Sequence, residues 1–242
     1  MKIKKNRPPD REEAGYLLIK GKAMKLAIFD FDGTLLMNDT LPLLGREWLK
    51  QGKSKFAFIK TWIICAPVLI FYKLSFIKRE KMKVRILGRF HTIFKNMTRE
   101  EMDQFFVKAY PGMTCYFNPR VIEELRRAQH QGFHCVLLSG AYAQMLNVVA
   151  DRLGFDTVIA ADIHYKGGKV DLKRPLAAID GQTKLLLLQQ VFAGENISWL
   201  LSRSYGDSYA DIAVMQITGE PVAVNPEDEL KLYAQEKGWK II

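Results

Sequence analysis

Four short stretches of the chain hold residues whose types suit phosphoryl chemistry: Asp30 with Asp32, Ser139 with Gly140, Lys184, and Asp207 with Asp211. Two carboxylates two residues apart project the same way where the chain is extended, and unpaired convergence would raise one of their pKa values. A divalent cation relieves that repulsion, and an oxygen-rich site that also takes phosphate suits magnesium. Asp207 is the natural third acidic ligand. Lys184 and Ser139 offer a positive charge and a hydroxyl donor to phosphate oxygens. Main-chain N–H groups around Phe31–Gly33 and at Gly140 complete a cradle. Acid, metal, lysine and hydroxyl together meet the needs of phosphoryl transfer, which are positioning and charge neutralisation.

Each group alone has an ordinary structural reading. Asp32-Gly33-Thr34 is a common turn, Ser139-Gly140 suits a helix cap, and Lys184 suits a surface. Asp207 and Asp211 suit the first turn of a helix, where the dipole favours acids. Lys173 and Arg174 compete with Lys184 for a phosphate. Asp39 reads as the N-cap of a helix that starts at Thr40 with Pro42 in its first turn. The chemical reading gains weight because the groups fall at the ends of expected strands.

Those strands come from the apolar pattern. Leu26–Phe31, Phe133–Leu138, Thr157–Ala161, a strand within Ile197–Tyr205, and Pro221–Val224 read as buried strands. Helices are expected over Pro119–Gln131, Ala141–Leu153, Gly181–Phe192, Asp211–Gln216 and Glu227–Lys237, with a small hairpin at Lys166–Val170. Such alternation implies an α/β fold, a parallel sheet with helices on both faces. Active sites of open sheets lie beyond the carboxyl ends of the strands. Residues 43–110 read as mostly helical, with a capping box at Thr98 and Glu101. The expected organisation is a flexible tail over residues 1–23, a catalytic core over 24–42 and 111–242, and an inserted α-helical cap over 43–110.

Apolar residues make up 48 % of the chain, enough for a sizeable core. The net charge of +10 is unevenly spread: residues 46–99 hold 14 Lys and Arg against 2 Asp and Glu. That segment surrounds Phe56–Tyr72, an apolar run broken only by Lys60 and Thr61 and containing Pro67. Three placements suit the run: packing inside the cap, lying in a membrane interface, or spanning a bilayer. Trp62, Phe71 and Tyr72 suit an interfacial depth, and residues 46–85 suit an anionic membrane surface. No nucleic acid is expected, because no aromatic-interleaved recognition motif is present. Three cysteines, Cys65, Cys115 and Cys135, without metal-site spacing point to free thiols in a reducing compartment. The N-terminal stretch carries too short an apolar run for a signal peptide, so a cytoplasmic location is expected, peripheral at the inner face of the membrane if the apolar run lies in the interface.

Asp30-Phe-Asp32-Gly-Thr-Leu35, Leu138-Ser139-Gly140, Lys184 and Gly206-Asp207-Ser208-Tyr-Ala-Asp211 resemble, in order, the four motifs of the haloacid dehalogenase-like (HAD) superfamily. The resemblance covers residues 24–242. Ala223-Val-Asn-Pro-Glu-Asp-Glu-Leu230, followed by Gly238-Trp239, resembles its phosphoserine-phosphatase-like branch, subfamily IB. The resemblance implies a Rossmann-like sheet and a magnesium-dependent phosphatase acting through an aspartyl phosphate. It makes Asp30 the nucleophile and Asp32 the general acid and base. Magnesium falls to the Asp30 carboxylate, the Asp32 main-chain carbonyl and Asp207. Ser139, Gly140 and Lys184 then bind phosphate, and Asp211 orients Lys184 or a metal-bound water. The cap resembles those of phosphatidylglycerophosphate phosphatase-type members, which implies a lipid or lipid-headgroup phosphomonoester. A small soluble phosphomonoester, a phosphotransferase reaction, and a non-catalytic basic membrane-binding module are the alternatives.

Overall fold

The computed structural model describes residues 23–242. The tail expected over residues 1–23 lies, but for Ala23, outside the described residues.

Strand β1 (Leu26–Phe29) is an unbroken apolar run, and all four residues are buried. A strand of that kind needs cover on both faces. It sits inside a six-stranded sheet with β2 (His134–Tyr142), β3 (Thr157–Ala161), β6 (Arg203–Gly206), β7 (Glu220–Ala223) and β8 (Lys240–Ile241). The order is β3-β2-β1-β6-β7-β8 and every neighbouring pair is parallel. The chain steps outward from β1 to β2 and β3, then returns to β6 on the other side of β1. The carboxyl ends of β1 and β6 therefore flank the switch point, where open sheets bind ligands. The expected strands all form; the short edge strand β8 was not foreseen. The hairpin also forms, as β4 (Tyr165–Lys166) and β5 (Lys169–Val170) around Gly167 and Gly168, both at positive φ.

Alternation along β1 builds two cores. Ala27 and Phe29 join Val121, Leu125 and Leu146 on one face, where α5 (Pro119–His130) and α6 (Ala143–Leu153) pack. Leu26 and Ile28 join Leu188, Phe192 and Val214 on the other, beneath α7 (Gly181–Val191) and α8 (Ile212–Met215). A last helix, α9 (Asp228–Lys237), packs Leu230 and Ala234 on Ala223 of β7. This is a Rossmann-like α/β fold. The helix ends follow local chemistry. Asn118 caps α5 by accepting from the Arg120 N–H at 3.1 Å, with Pro119 in the first turn. Gly154 closes α6 in the left-handed region.

Between β1 and β2 the chain adds α1 (Thr40–Lys50), α2 (Lys55–Lys73), α3 (Arg79–Phe90), a 3-10 turn at His91–Phe94, and α4 (Arg99–Thr114). Thr98 and Glu101 form the capping box of α4. This helix runs through Pro111, so the boundary drawn at 110/111 falls inside it. Trp48, Phe90, Phe94 and Phe105 meet edge to face with centroids 5.6–6.1 Å apart, continuous with the core through Tyr142. Helix α2 packs on one side only: its buried residues are Thr61, Cys65 and Val68, spaced as one narrow face. Phe56, Ile59, Ile63, Ile70 and Phe71 stay exposed.

Candidate active site

Asp30, Asp32, Asp39, Ser139, Gly140 and Lys184 line one cavity of about 610 Å³, with Asp211 behind Lys184 and Asp207 against Gly33. Asp30 follows β1 directly, and its N–H donates to the Tyr205 carbonyl of β6 at 3.0 Å, so sheet hydrogen bonding fixes its place. The next residues curl back: the Leu36 N–H donates to the Phe31 carbonyl at 2.8 Å and the Gly33 N–H to the Leu36 carbonyl at 2.7 Å. Gly33 has φ +94°, and a Cβ there would lie 2.2 Å from Asp207 Oδ2. Only glycine permits both the conformation and the approach of the β6 loop to the β1 loop.

Lys184 stands in the first turn of α7, which Asp180 caps by accepting from the Thr183 N–H at 3.2 Å. Its ammonium donates to Asp30 Oδ1 and to Asp211 Oδ1, both at 2.6 Å, and all three side chains are buried. Asp211 also accepts from the Ser208 N–H and hydroxyl at 3.1 Å each. Burial works against its charge, yet Lys184 and these hydrogen bonds outweigh it and hold Asp211 below the usual carboxylate range. Asp30 differs. Burial pushes it up to about 7, against the pull of Lys184, and the nearby Asp211 and Asp207 charges push the same way. Burial also raises Asp207, to about 6.

Carboxylate oxygens of Asp30, Asp207 and Asp211 lie within 4.8 Å of one another. On Asp207, Oδ1 is buried without any hydrogen-bond partner among the described residues. Three converging hard oxygen donors, two of them destabilised as anions and one left unsatisfied, fit a magnesium ion. Asp32 stays out of this carboxylate cluster. Its Oδ1 instead accepts from the Thr40 N–H at 2.9 Å and from the Thr40 hydroxyl, which turns it toward the start of α1. Burial raises Asp32 despite these bonds and the charge of Lys83. Asp39 occupies the N-cap position of α1 but its side chain makes no cap bond; Asp32 does that work from eight residues away.

Ser139 lies in β2 where the register with β3 shifts, and its hydroxyl accepts from the Ala141 N–H at 3.3 Å. A Cβ on Gly140 would meet the Ile179 carbonyl at 3.1 Å, so this strand end passes close to the loop before α7. Lys173 is exposed and away from the cavity, and Arg174 lies on its rim; neither bonds to the acids.

Two residues escaped the sequence reading because they were counted only as part of the basic segment. Arg79, at the start of α3, donates to Asp207 Oδ2 at 3.1 Å and to Glu227 Oε2 at 2.8 Å. Lys83 follows one turn later; its burial works against the charge, but Asp207, Asp32 and Asp30 outweigh it and raise its pKa. The i, i+4 spacing of two cations facing an acidic site was the available signal. Glu227, read from the sequence as part of a branch marker and as the start of the last helix, also accepts from the Tyr209 N–H at 2.7 Å.

The model for "haloacid dehalogenase-like hydrolase" matches residues 27–216. Among curated relatives, a histidinol-phosphatase of Neisseria meningitidis serogroup C (strain 8013) is 25 % identical, over 90 % of this chain and 97 % of its own. A phosphoserine phosphatase of Methanocaldococcus jannaschii is 22 % identical, over 87 % of this chain and 90 % of its own. A solved phosphoserine phosphatase, described as a phospho-aspartyl intermediate analogue, superposes with a TM-score of 0.61 at 19 % identity, over 91 % of this chain and 93 % of that one. With the motifs in order on this sheet, the chain belongs to the haloacid dehalogenase-like hydrolases.

Proposed function

We propose that the protein is a magnesium-dependent phosphomonoester phosphatase that forms an aspartyl phosphate on Asp30. The observation that carries this reading is the buried Lys184 ammonium shared by Asp30 and Asp211, beside an Asp207 oxygen with no partner. In the first step an Asp30 oxygen bonds to phosphorus, the bond to the alcohol oxygen breaks, and Asp32 gives its proton to the departing alkoxide. In the second step Asp32 takes a proton from water, the water oxygen bonds to phosphorus, and the bond to Asp30 breaks. Burial favours the protonated form of Asp32, which suits the first step, and Thr40 holds the carboxyl in place. Lys184, Ser139 and Gly140 bind the phosphoryl oxygens, and Asp211 positions Lys184. Asp30, Asp207 and the Asp32 carbonyl would hold magnesium, which when bound neutralises charge on the phosphoryl group. Residues 43–110 act as a cap that selects the leaving group.

The cavity beneath that cap is walled largely by apolar side chains, among them Trp62, Leu69, Ile86, Leu172 and Leu176. Such walls favour a leaving group with apolar bulk, as in a lipid phosphomonoester. A small amino-alcohol phosphate is the second reading. It is supported by Arg79, Glu80 and Lys83 in the roof and by the substrates named for the two relatives. The test is phosphate release, with magnesium, from histidinol phosphate, phosphoserine and lipid phosphates in mixed micelles. Faster release from lipid phosphates supports the first reading, and faster release from the amino-alcohol esters the second. Transfer to an added alcohol in place of phosphate release would make the protein a phosphotransferase on the same residues.

A further inference from the structure

We propose that the outward face of α2 docks the protein on an anionic lipid bilayer, with the helix lying along the surface. This does not rest on the phosphatase reading. Phe56, Ile63 and Ile70 are 77 %, 67 % and 56 % exposed, and Leu74 and Phe76 extend the patch beyond the helix end at 60 % and 72 %. Positions 56, 59, 63, 67, 70 and 74 follow one stripe of a helix, and they are all exposed. An uncovered apolar stripe of this length marks a surface made for contact.

Charge decides between occupants. From Lys50 to Lys78 the chain contains no Asp or Glu. Lys55, Lys60, Lys73 and Lys78 are exposed, and among the described residues none of them makes an ion pair. A second copy of the chain, stacked face to face, would bring these lysines together and repel. An anionic lipid surface takes up the apolar stripe and the lysines at once.

The opposite side of the helix explains why it lies on a bilayer instead of crossing one. Helix α2 is long and apolar enough to span, but Thr61, Cys65 and Val68 are buried in the protein, and Arg89 donates to the Ile64 carbonyl at 2.9 Å. Trp62, whose type would suit an interfacial depth, turns inward. It packs against Phe58 and Phe90 with centroids 6.3 and 6.0 Å apart and lines the cavity. One helix thus presents one side to lipid and the other to the cavity, so docking brings the cavity wall to the bilayer.

Flotation of the full chain with vesicles of phosphatidylcholine, with and without phosphatidylglycerol, tests this. The wild type is expected on the anionic vesicles only, released by salt. The double variant Ile63→Asp/Ile70→Asp is expected to bind roughly ten-fold more weakly or less. Lys60→Glu/Lys73→Glu is expected to lose most of the anionic preference. These side chains lie outside the acid cluster, so unchanged hydrolysis of a soluble aryl phosphate, or an unchanged thermal midpoint, shows that the variants fold. Equal flotation of wild type and Ile63→Asp/Ile70→Asp, or no flotation of the wild type, overturns the proposal. So does a wild-type dimer in light scattering that the aspartate pair dissociates, because a second copy then covers the face. Flotation without hydrolysis of any ester would count against the phosphatase reading alone.

Discussion

The floor of the cavity and its roof carry opposite charge and are assembled differently. The floor takes one or two side chains from each of several strand ends and from the first turn of α7; Asp30, Ser139, Lys184, Asp207 and Asp211 are buried, and Lys184 ties Asp30 to Asp211. The roof takes Arg79 and Lys83 from successive turns of one helix. The sheet fixes the floor through many hydrogen bonds, whereas the roof meets it mainly through long, flexible cations. Phosphoryl transfer needs rigid placement of the reacting groups, while substrate entry needs a cover that can part from them. The division of labour between these two regions follows from that difference.

Changing the floor should break this comparison most strongly. Asp30→Asn keeps the size and removes the nucleophile, so phosphate release should fall by about 10⁴-fold or more while the circular dichroism spectrum is unchanged. Activity near the wild-type level would remove Asp30 from the chemistry. Next comes Lys184→Met. It strands the Asp30 and Asp211 carboxylates without their shared cation, and breaking a buried pair in this way costs about 3–5 kcal/mol. Urea unfolding in chelator should show the loss, and magnesium should restore part of it.

Proton binding sharpens the comparison further. Without a cation, the folded protein holds protons on Asp30 up to about pH 7 and on Asp207 up to about 6, whereas both groups lose them near 3.8 when unfolded. The folded state binds more protons across that window. The stability these groups contribute is therefore full at about pH 4 and declines as pH rises toward 7. Magnesium needs the charged carboxylates, so its binding tightens over the same window. The gap in thermal midpoint between magnesium and chelator should widen from about pH 5 to 8. A gap constant with pH would mean that other groups take the metal.

The roof should give the smallest effect. Arg79→Met loses two partly exposed ion pairs, a cost of about 1–2 kcal/mol. It also frees Asp207 from a competing cation. Magnesium affinity by titration calorimetry should therefore rise a few-fold. A drop in affinity would make Arg79 a support of the metal ligand and not its rival.

Much of the floor was legible in the sequence because its residues sit at fixed points of a repetitive fold. The apolar strand before Asp30 announces both the element and the end that faces the site, and the Gly206-Asp207 pair marks the end of the more polar strand β6. Side-chain direction was less legible. Asp32 bonds across to Thr40 and leaves the carboxylate cluster, a choice made by the curl of the loop at Gly33 and not by residue type. The basic segment, matched from the sequence over residues 46–85 to an anionic surface, serves two regions. Its lysines on α2 point to solvent, while Arg79 and Lys83 on α3 point to the acids, because the two helices turn different sides to the core. The apolar run Phe56–Tyr72 likewise divides into a packed side and an exposed side, a distinction that its composition does not encode.

The most direct test follows the phosphoryl group itself. In the Asp32→Asn variant the second step lacks its base, so incubation with magnesium and an aryl phosphate, whose leaving group departs without a proton from Asp32, should accumulate a phosphoenzyme. Intact-mass spectrometry should show one added HPO₃, removed by hydroxylamine, on the peptide that contains Asp30 and absent when Asp30→Asn is added. Turnover by the wild type with no adduct in the Asp32→Asn variant, or an adduct that survives Asp30→Asn, would contradict a covalent mechanism at Asp30.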